Sequence, residues 1–232
     1  MRILIISDIH GNIWALESIL KKEEYDILIS LGDLVDYGPR PEEVVQIVKD
    51  KATFSVMGNH DYSLAFNVEC PGTTEEYKKI TNDLRDYFKY SLTTDSINYL
   101  RHIPMENYIE IEGVKIYLVH SSAKDPLGDY VTFDKDLSFI KEKMIPEGKN
   151  VNFVLYGHTH IPGVLAINRV KIINPGSAGF PRDIPLKPSY VIIENGNIIF
   201  KKAEYNYHFL LSEFKNAKVP EKYQKFLLGE NI

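Results

Sequence analysis

Short runs of Leu, Ile and Val alternate with amphipathic helical stretches along residues 1–60, and few architectures accommodate that alternation. Arg2–Ser7 and Asp26–Leu31 are brief and almost wholly apolar, which suits strands covered on both faces. Between them Asn12 is placed to cap a helix whose Ile13, Leu16 and Leu20 share one face. Pro41 falls in the first turn of a second helix, Glu42–Asp50, with Val44, Ile47 and Val48 turned inward. Thr53–Met57 reads as a third strand. A β-α-β-α-β series of this kind predicts a mostly parallel, doubly wound sheet.

Beyond residue 61 the character changes. Thr73–Tyr90 is polar and aromatic, with Tyr77, Ile80, Leu84, Tyr87 and Phe88 at helical spacing, and Asp95–Arg101 reads as a shorter helix. The expectation is a helical insertion at about 62–105 beside the sheet, within a single domain spanning 1–232. Strands return at Tyr108–Ile111, Val114–His120, Val151–Tyr156, Gly163–Ile167, Val170–Ile173, Tyr190–Glu194 and Ile198–Lys202. Asn195-Gly196 between the last two signals a tight hairpin, and a helical, amphipathic tail is expected at about 205–232.

Composition removes several classes of function. With 27 Lys+Arg against 32 Asp+Glu the net charge is −5, so there is no electrostatic footprint for holding nucleic acid. A lone cysteine, Cys70, excludes an internal disulfide and a thiolate metal cluster. The opening apolar run Ile3–Ile6 ends at Ser7-Asp8, too short for a membrane span or a secretory signal, and a cytoplasmic protein without a membrane partner is expected.

The histidines carry the chemical signal. Five of the seven, His10, His60, His120, His158 and His160, lie in short polar motifs with Asp, Asn or Gly, mostly just after a predicted strand. The carboxyl ends of strands are where α/β sheets build ligand sites. Asp8-Ile9-His10 and His158-Thr159-His160 each put two donors on one side of extended chain. Gly32-Asp33 and Gly58-Asn59-His60-Asp61 add a carboxylate, an amide oxygen and an imidazole, and His120 ends its own strand. Oxygen and imidazole donors without thiolate suit Mn, Fe, Zn or Ni better than a closed structural zinc.

In this order the motifs resemble the calcineurin-like metallophosphoesterase superfamily, over about residues 1–200. Gly32–Pro39, His120–Val131 and Asn174–Asp183 are similar to its compact bacterial and archaeal phosphodiesterase-like branch, with Ser121 where that branch usually has Gly. The resemblance implies an α/β fold, a four-layer α/β/β/α sandwich of two mixed sheets. It also implies two divalent ions, Mn first, with Fe, Zn, Ni or Mg as alternatives. One would be held by Asp8, His10, Asp33 and His160, the other by Asp33, Asn59, His120 and His158, with Asp33 bridging. His60 matches the family's catalytic histidine and Asp36 the carboxylate that pairs with it; Asn59 is also expected to touch substrate. Arg182 reads either as a phosphate-binding fork or as a surface ion pair with Asp183, and Arg40 as a helix-flanking surface charge.

The implied activity is hydrolysis of P–O bonds by a metal-bridging hydroxide, a phosphodiesterase acting on a small phosphoester or nucleotide-like substrate. Phosphomonoesterase, phosphoprotein phosphatase and dinucleoside polyphosphate hydrolase are the alternatives. Tyr37 departs from the phosphatase loop Gly-Asp-x-Val-Asp-Arg-Gly at its Arg, which weighs against the last two. A non-catalytic interaction scaffold is the alternative of another class, and a homodimer through exposed Tyr and Phe is left open.

Overall fold

Alternation along the first strand divides the interior in two: Leu4 and Ile6 enter one apolar cluster, Ile3 and Ile5 another. The computed structural model describes residues 1–229. Its elements are β1 (Arg2–Ile6), α1 (Ile13–Lys22), β2 (Ile27–Ser30), α2 (Pro41–Lys51), β3 (Phe54–Ser55), α3 (Asn59–Phe66), α4 (Glu75–Phe88) and α5 (Thr94–His102). There follow β4 (Glu106–Ile111), β5 (Val114–Val119), α6 (Leu137–Met144), β6 (Phe153–Leu155), β7 (Gly163–Ile167) and β8 (Val170–Asn174). The chain then runs through β9 (Ser189–Glu194), β10 (Asn197–Lys202), α7 (His208–Asn216) and α8 (Glu221–Leu228).

These strands form two five-stranded sheets, ordered β10-β9-β1-β2-β3 and β4-β5-β6-β8-β7. Both are mixed: β1-β2-β3 and β5-β6-β8 run parallel, and the remaining pairings are antiparallel. The local pattern of the first 60 residues alone predicts a mostly parallel sheet. It misses that β9 returns antiparallel beside β1, with Arg2 opposite Glu194. Ile3, Ile5, Ile29 and Val191 of one sheet pack on Ile116, Leu118, Leu155 and Ile173 of the other. Leu4, Ile6 and Leu28 face Leu16, Val44, Val48 and Leu100 from α1, α2 and α5. Tyr117, Val154 and Ile172 face Ile140 and Met144 of α6, so helices cover both outer faces.

Several boundaries differ from expectation. β3 covers two residues, because the Met57 N–H leaves the ladder for the Pro104 carbonyl at 2.8 Å. Two helices escape the periodicity reading. α3 buries Asn59, His60 and Asp61 rather than an apolar stripe, and α6 buries only Ile140 and Met144 while Leu137 and Phe139 are exposed. The expected tail contains two helices interrupted before Pro220; residues 230–232 of that expectation lie outside the described residues. No helix among the described residues is long and apolar enough to cross a membrane.

Glu23, at the end of α1, fastens that helix to the sheet. Its carboxylate accepts from Arg2 Nη2 at 2.6 Å, Tyr190 Oη at 2.6 Å and Lys201 Nζ at 2.8 Å. Burial alone would raise its pKa, but the Lys201, Tyr190 and Arg2 hydrogen bonds bring it down to about 2. A carboxylate depressed in the folded state stabilises fully above its unfolded pKa and loses that contribution as pH falls through the folded one. Glu23→Gln is therefore expected to lower stability by roughly 2–3 kcal/mol at neutral pH. The difference from the parent should shrink between about pH 4.5 and pH 2, followed by urea melts across that range.

Candidate active site

The loops that leave β1, β2 and β3 in one sheet meet those that leave β5, β6 and β8 in the other. All six are carboxyl ends of parallel strands. They bring Asp8, His10, Asp33, Asn59, His120, His158 and His160 together, all buried. Asp8, His10 and His160 form one group whose ligand atoms lie within 4.8 Å of one another; Asp33, His120 and His158 form a second, and His10, Asp33 and His60 a third. Asp33 Oδ2 is 3.6 Å from His10 Nε2 and 3.2 Å from His120 Nε2, so one carboxylate lies between the groups. Asn59 Oδ1 is 3.0 Å from His120 Nε2 and 3.1 Å from His158 Nδ1.

The backbone is bent to reach this arrangement. Asp8, His10, Asp33, His158 and His160 all have positive φ, between 49° and 65°, a left-handed conformation that costs a non-glycine residue about 1–2 kcal/mol. Glycine beside them permits the close approach. A Cβ on Gly58 would strike Asp33, and one on Gly157 would lie 2.7 Å from Asp8 Oδ2.

The donor set fits divalent cations. His10, His120 and His160 each direct Nδ1 at a backbone carbonyl, of Val35 at 2.9 Å, Leu31 at 2.7 Å and Phe180 at 2.7 Å. Those acceptors take the Nδ1 proton, which leaves the Nε2 lone pairs of the neutral His10 and His160 rings pointing into the centre, and that of His120 once it gives up its second proton. His10 Nε2 and His160 Nε2 face each other at 3.2 Å, an arrangement that a shared cation makes favourable. His158 Nε2 is buried without a hydrogen-bond partner among the described residues. Burial holds His10 and His158 down at about 3 and lowers His160 as well, so all three are neutral at pH 7, the form that ligates. Burial raises Asp8 to about 7, while the Asp33 charge outweighs burial at His120 and lifts it to about 9.

His60 stands apart in its protonation. Its Nδ1 lies 2.8 Å from Asp36 Oδ2 and its Nε2 3.3 Å from Tyr37 Oη. Burial opposes charge there, yet the Asp33 charge and the hydrogen-bonded Asp36 raise it well above the ordinary histidine range. Tyr37 itself is pushed up to about 12 by burial and stays a neutral phenol. Beside these residues opens a cavity of about 330 Å³ lined by Tyr37, His60, Tyr77, Tyr130, His158 and Arg182, among others.

Residues 1–197 match the model of the calcineurin-like phosphoesterase superfamily domain. The chain belongs to that superfamily. An uncharacterized protein of Methanocaldococcus jannaschii is 29% identical over 99% of this chain and 96% of its own length. An asymmetrical bis(5'-nucleosyl)-tetraphosphatase of Oceanobacillus iheyensis is 24% identical over 76% of this chain and 84% of its own. Among solved structures, a metallophosphoesterase from Sphaerobacter thermophilus superposes with a TM-score of 0.78 at 29% identity, covering 99% of both chains. The phosphoesterase fold thus extends past the matched domain into β10, α7 and α8.

Within this phosphoesterase, Arg182 donates to Tyr130 Oη at 2.9 Å, and its guanidinium carbon lies 5.1 Å from the Tyr77 ring centre. The surface-pair reading fails because Asp183 pairs with Lys202 at 2.7 Å. Arg40 pairs with Glu43 and Glu213. Asn174 supports the site as a turn residue, donating to Gly157 O at 2.6 Å and Thr159 Oγ1 at 3.1 Å.

The roles of three residues, Cys70, Arg85 and Asp61, escape the sequence reading. The Asn59 amide nitrogen donates to Cys70 Sγ and Pro71 O, both at 3.0 Å, which turns its oxygen toward the histidines. Arg85 of α4 grips Asp36 with two bonds of 2.7 Å. The Asp61 carboxylate accepts the backbone N–H groups of Asp33 and Leu34 at 2.8 Å, Gly58 at 3.0 Å and Val35 at 3.3 Å. Asp61 closes the Gly58-Asn59-His60-Asp61 motif, but nothing local shows that its partners lie in the preceding loop. Asp61→Asn turns part of that acceptor into a donor facing N–H groups. It is expected to cost about 2–3 kcal/mol in thermal or urea melts and to weaken metal retention on dialysis.

Proposed function

We propose that the chain is a phosphodiesterase dependent on two divalent ions, Mn first among them, that hydrolyses small or nucleotide-like phosphodiesters in the cytoplasm. The observation that carries this reading is the convergence of buried imidazoles and carboxylates around Asp33, with His60 hydrogen-bonded to Asp36 at the edge of the same cavity. Asp8, His10, Asp33 and His160 would hold one ion, and Asp33, Asn59, His120 and His158 the other. When bound, the ions supply Lewis-acid charge at the phosphoryl oxygens and a water acidic enough to act as nucleophile near neutral pH.

The chain's own residues do the rest. His60, its Nδ1–H held by Asp36, offers the Nε2 proton to the leaving oxygen as the P–O bond breaks. Arg182 binds the substrate's phosphoryl oxygens, and Tyr77 and Tyr130 hold its guanidinium over the cavity; the substrate contact expected of Asn59 is not made, because Cys70 and Pro71 take both of its amide N–H groups. A cavity of about 330 Å³ admits one small ester substituent and suits neither a folded protein nor a duplex. A dinucleoside polyphosphate hydrolase is the second reading. The relative from Oceanobacillus iheyensis that bears that name favours it, as do the Tyr77 and Tyr130 rings, on which a base can stack.

The test is turnover of diphenyl phosphate, phenyl phosphate and a dinucleoside tetraphosphate by metal-stripped protein resupplied with Mn²⁺. Diester turnover that vanishes with chelator and falls about 10²–10⁴-fold in His60→Ala is the expected result. Monoester preference would move the substrate class, and preference for the tetraphosphate would establish the second reading. No turnover of any of the three with both ions bound would favour a scaffold. Arg182→Ala is expected to raise KM about 10-fold or more with metal content unchanged, measured on the same diester.

A further inference from the structure

Arg85 belongs to none of the strand-end motifs, yet it makes the shortest pair of contacts to Asp36. Its Nε donates to Oδ1 and its Nη2 to Oδ2, both at 2.7 Å, and Asp36 Oδ2 is also 2.8 Å from His60 Nδ1. Asp36 is fully buried and sits at φ 70°, so neither solvent nor a relaxed backbone fixes its carboxylate. The arginine is delivered by α4, which packs Ile80 and Leu84 against Tyr37, Phe214 and Tyr223. Tyr223 also hydrogen-bonds Asp83 of the same helix, and Tyr90 hydrogen-bonds Gly38, two residues past Asp36.

We propose that Arg85 is a positioning residue for proton delivery by His60. The inference rests on the phosphodiesterase reading above. A carboxylate held by one imidazole N–H rotates freely about its last torsion; a planar fork that binds both oxygens removes that freedom, and a lysine does not replace it. With Asp36 locked, Oδ2 receives Nδ1–H and the opposite edge of the ring, Nε2–H, stays turned toward the cavity. When the P–O bond breaks, its electron pair goes to the leaving oxygen, which takes the Nε2 proton. The attacking water leaves its hydroxyl on phosphorus and returns a proton to His60. Arg85 touches neither substrate nor phosphorus, so its loss acts only through where that proton is held.

The leaving group separates this role from a merely structural ion pair. Full-length, Mn-loaded Arg85→Lys and Arg85→Gln are compared with His60→Ala on diphenyl phosphate and bis(4-nitrophenyl) phosphate, with bound metal measured for each. A nitrophenolate departs with little protonation, whereas a phenolate needs it. The expected result is a kcat loss of about 10- to 100-fold on the phenyl ester and several-fold less on the nitrophenyl ester, with KM and metal content little changed. His60→Ala should show the same inequality, more strongly. Equal losses on both esters in the Arg85 variants, beside unequal losses in His60→Ala, would overturn the proposal, as would a change confined to KM or failure of both variants to fold. Equal losses in His60→Ala itself would instead remove the proton-donor role of His60, and this inference with it.

Discussion

The Asp61 carboxylate accepts four backbone N–H groups from two loops, and the geometry of the whole centre hangs on that one acceptor. It pins residues 33–35 beneath α3. That stretch supplies the carboxylate of Asp33, the Val35 carbonyl that orients His10, and the lead into Asp36. Asp61 is raised to about 6 by burial and by the neighbouring Asp33, against the pull of its N–H partners and of the His120 charge. The molecule tolerates this unfavourable ionisation because no neutral side chain offers so many acceptor lone pairs in so small a space.

From that anchor the two sheets are stitched together through polar atoms as well as apolar ones. His120, at the end of one sheet, reaches the Leu31 carbonyl at the end of the other, and the His158 N–H donates to both oxygens of Asp8 at 3.1 Å. The apolar layer between the sheets sets their separation, and these bonds set their register at the ends where the side chains converge. Left-handed backbone at five of the converging residues is a cost that local preference would refuse; the surrounding bonds over-determine it.

Much of this was legible because its signals are local. An apolar run that stops at Asp-x-His or Gly-His-x-His declares both a strand and what its end presents, and the seven side chains so marked do lie together. What escaped depends on distant partners. Arg85 looks like any charge on the polar side of a helix until α4 is docked on α7 and α8. Cys70 looks like a lone thiol until Asn59 is turned toward it. Helix α3 carries no apolar stripe because its buried face is the site itself. The antiparallel arrival of β9 leaves no trace in the pattern of the first 60 residues, and so the mixed character of the sheet was not visible there.

That last pairing has a consequence for how the protein is made. β1 is fully apolar over Ile3–Ile6 and finds β2 early, but its other edge waits for residues 191–194. At ordinary rates of synthesis the interval between the two is roughly 10–40 s. Throughout it the nascent chain carries an open, water-averse strand edge with no native neighbour yet on offer. An open edge of that kind can pair with other chains, so association during synthesis competes with folding over that interval.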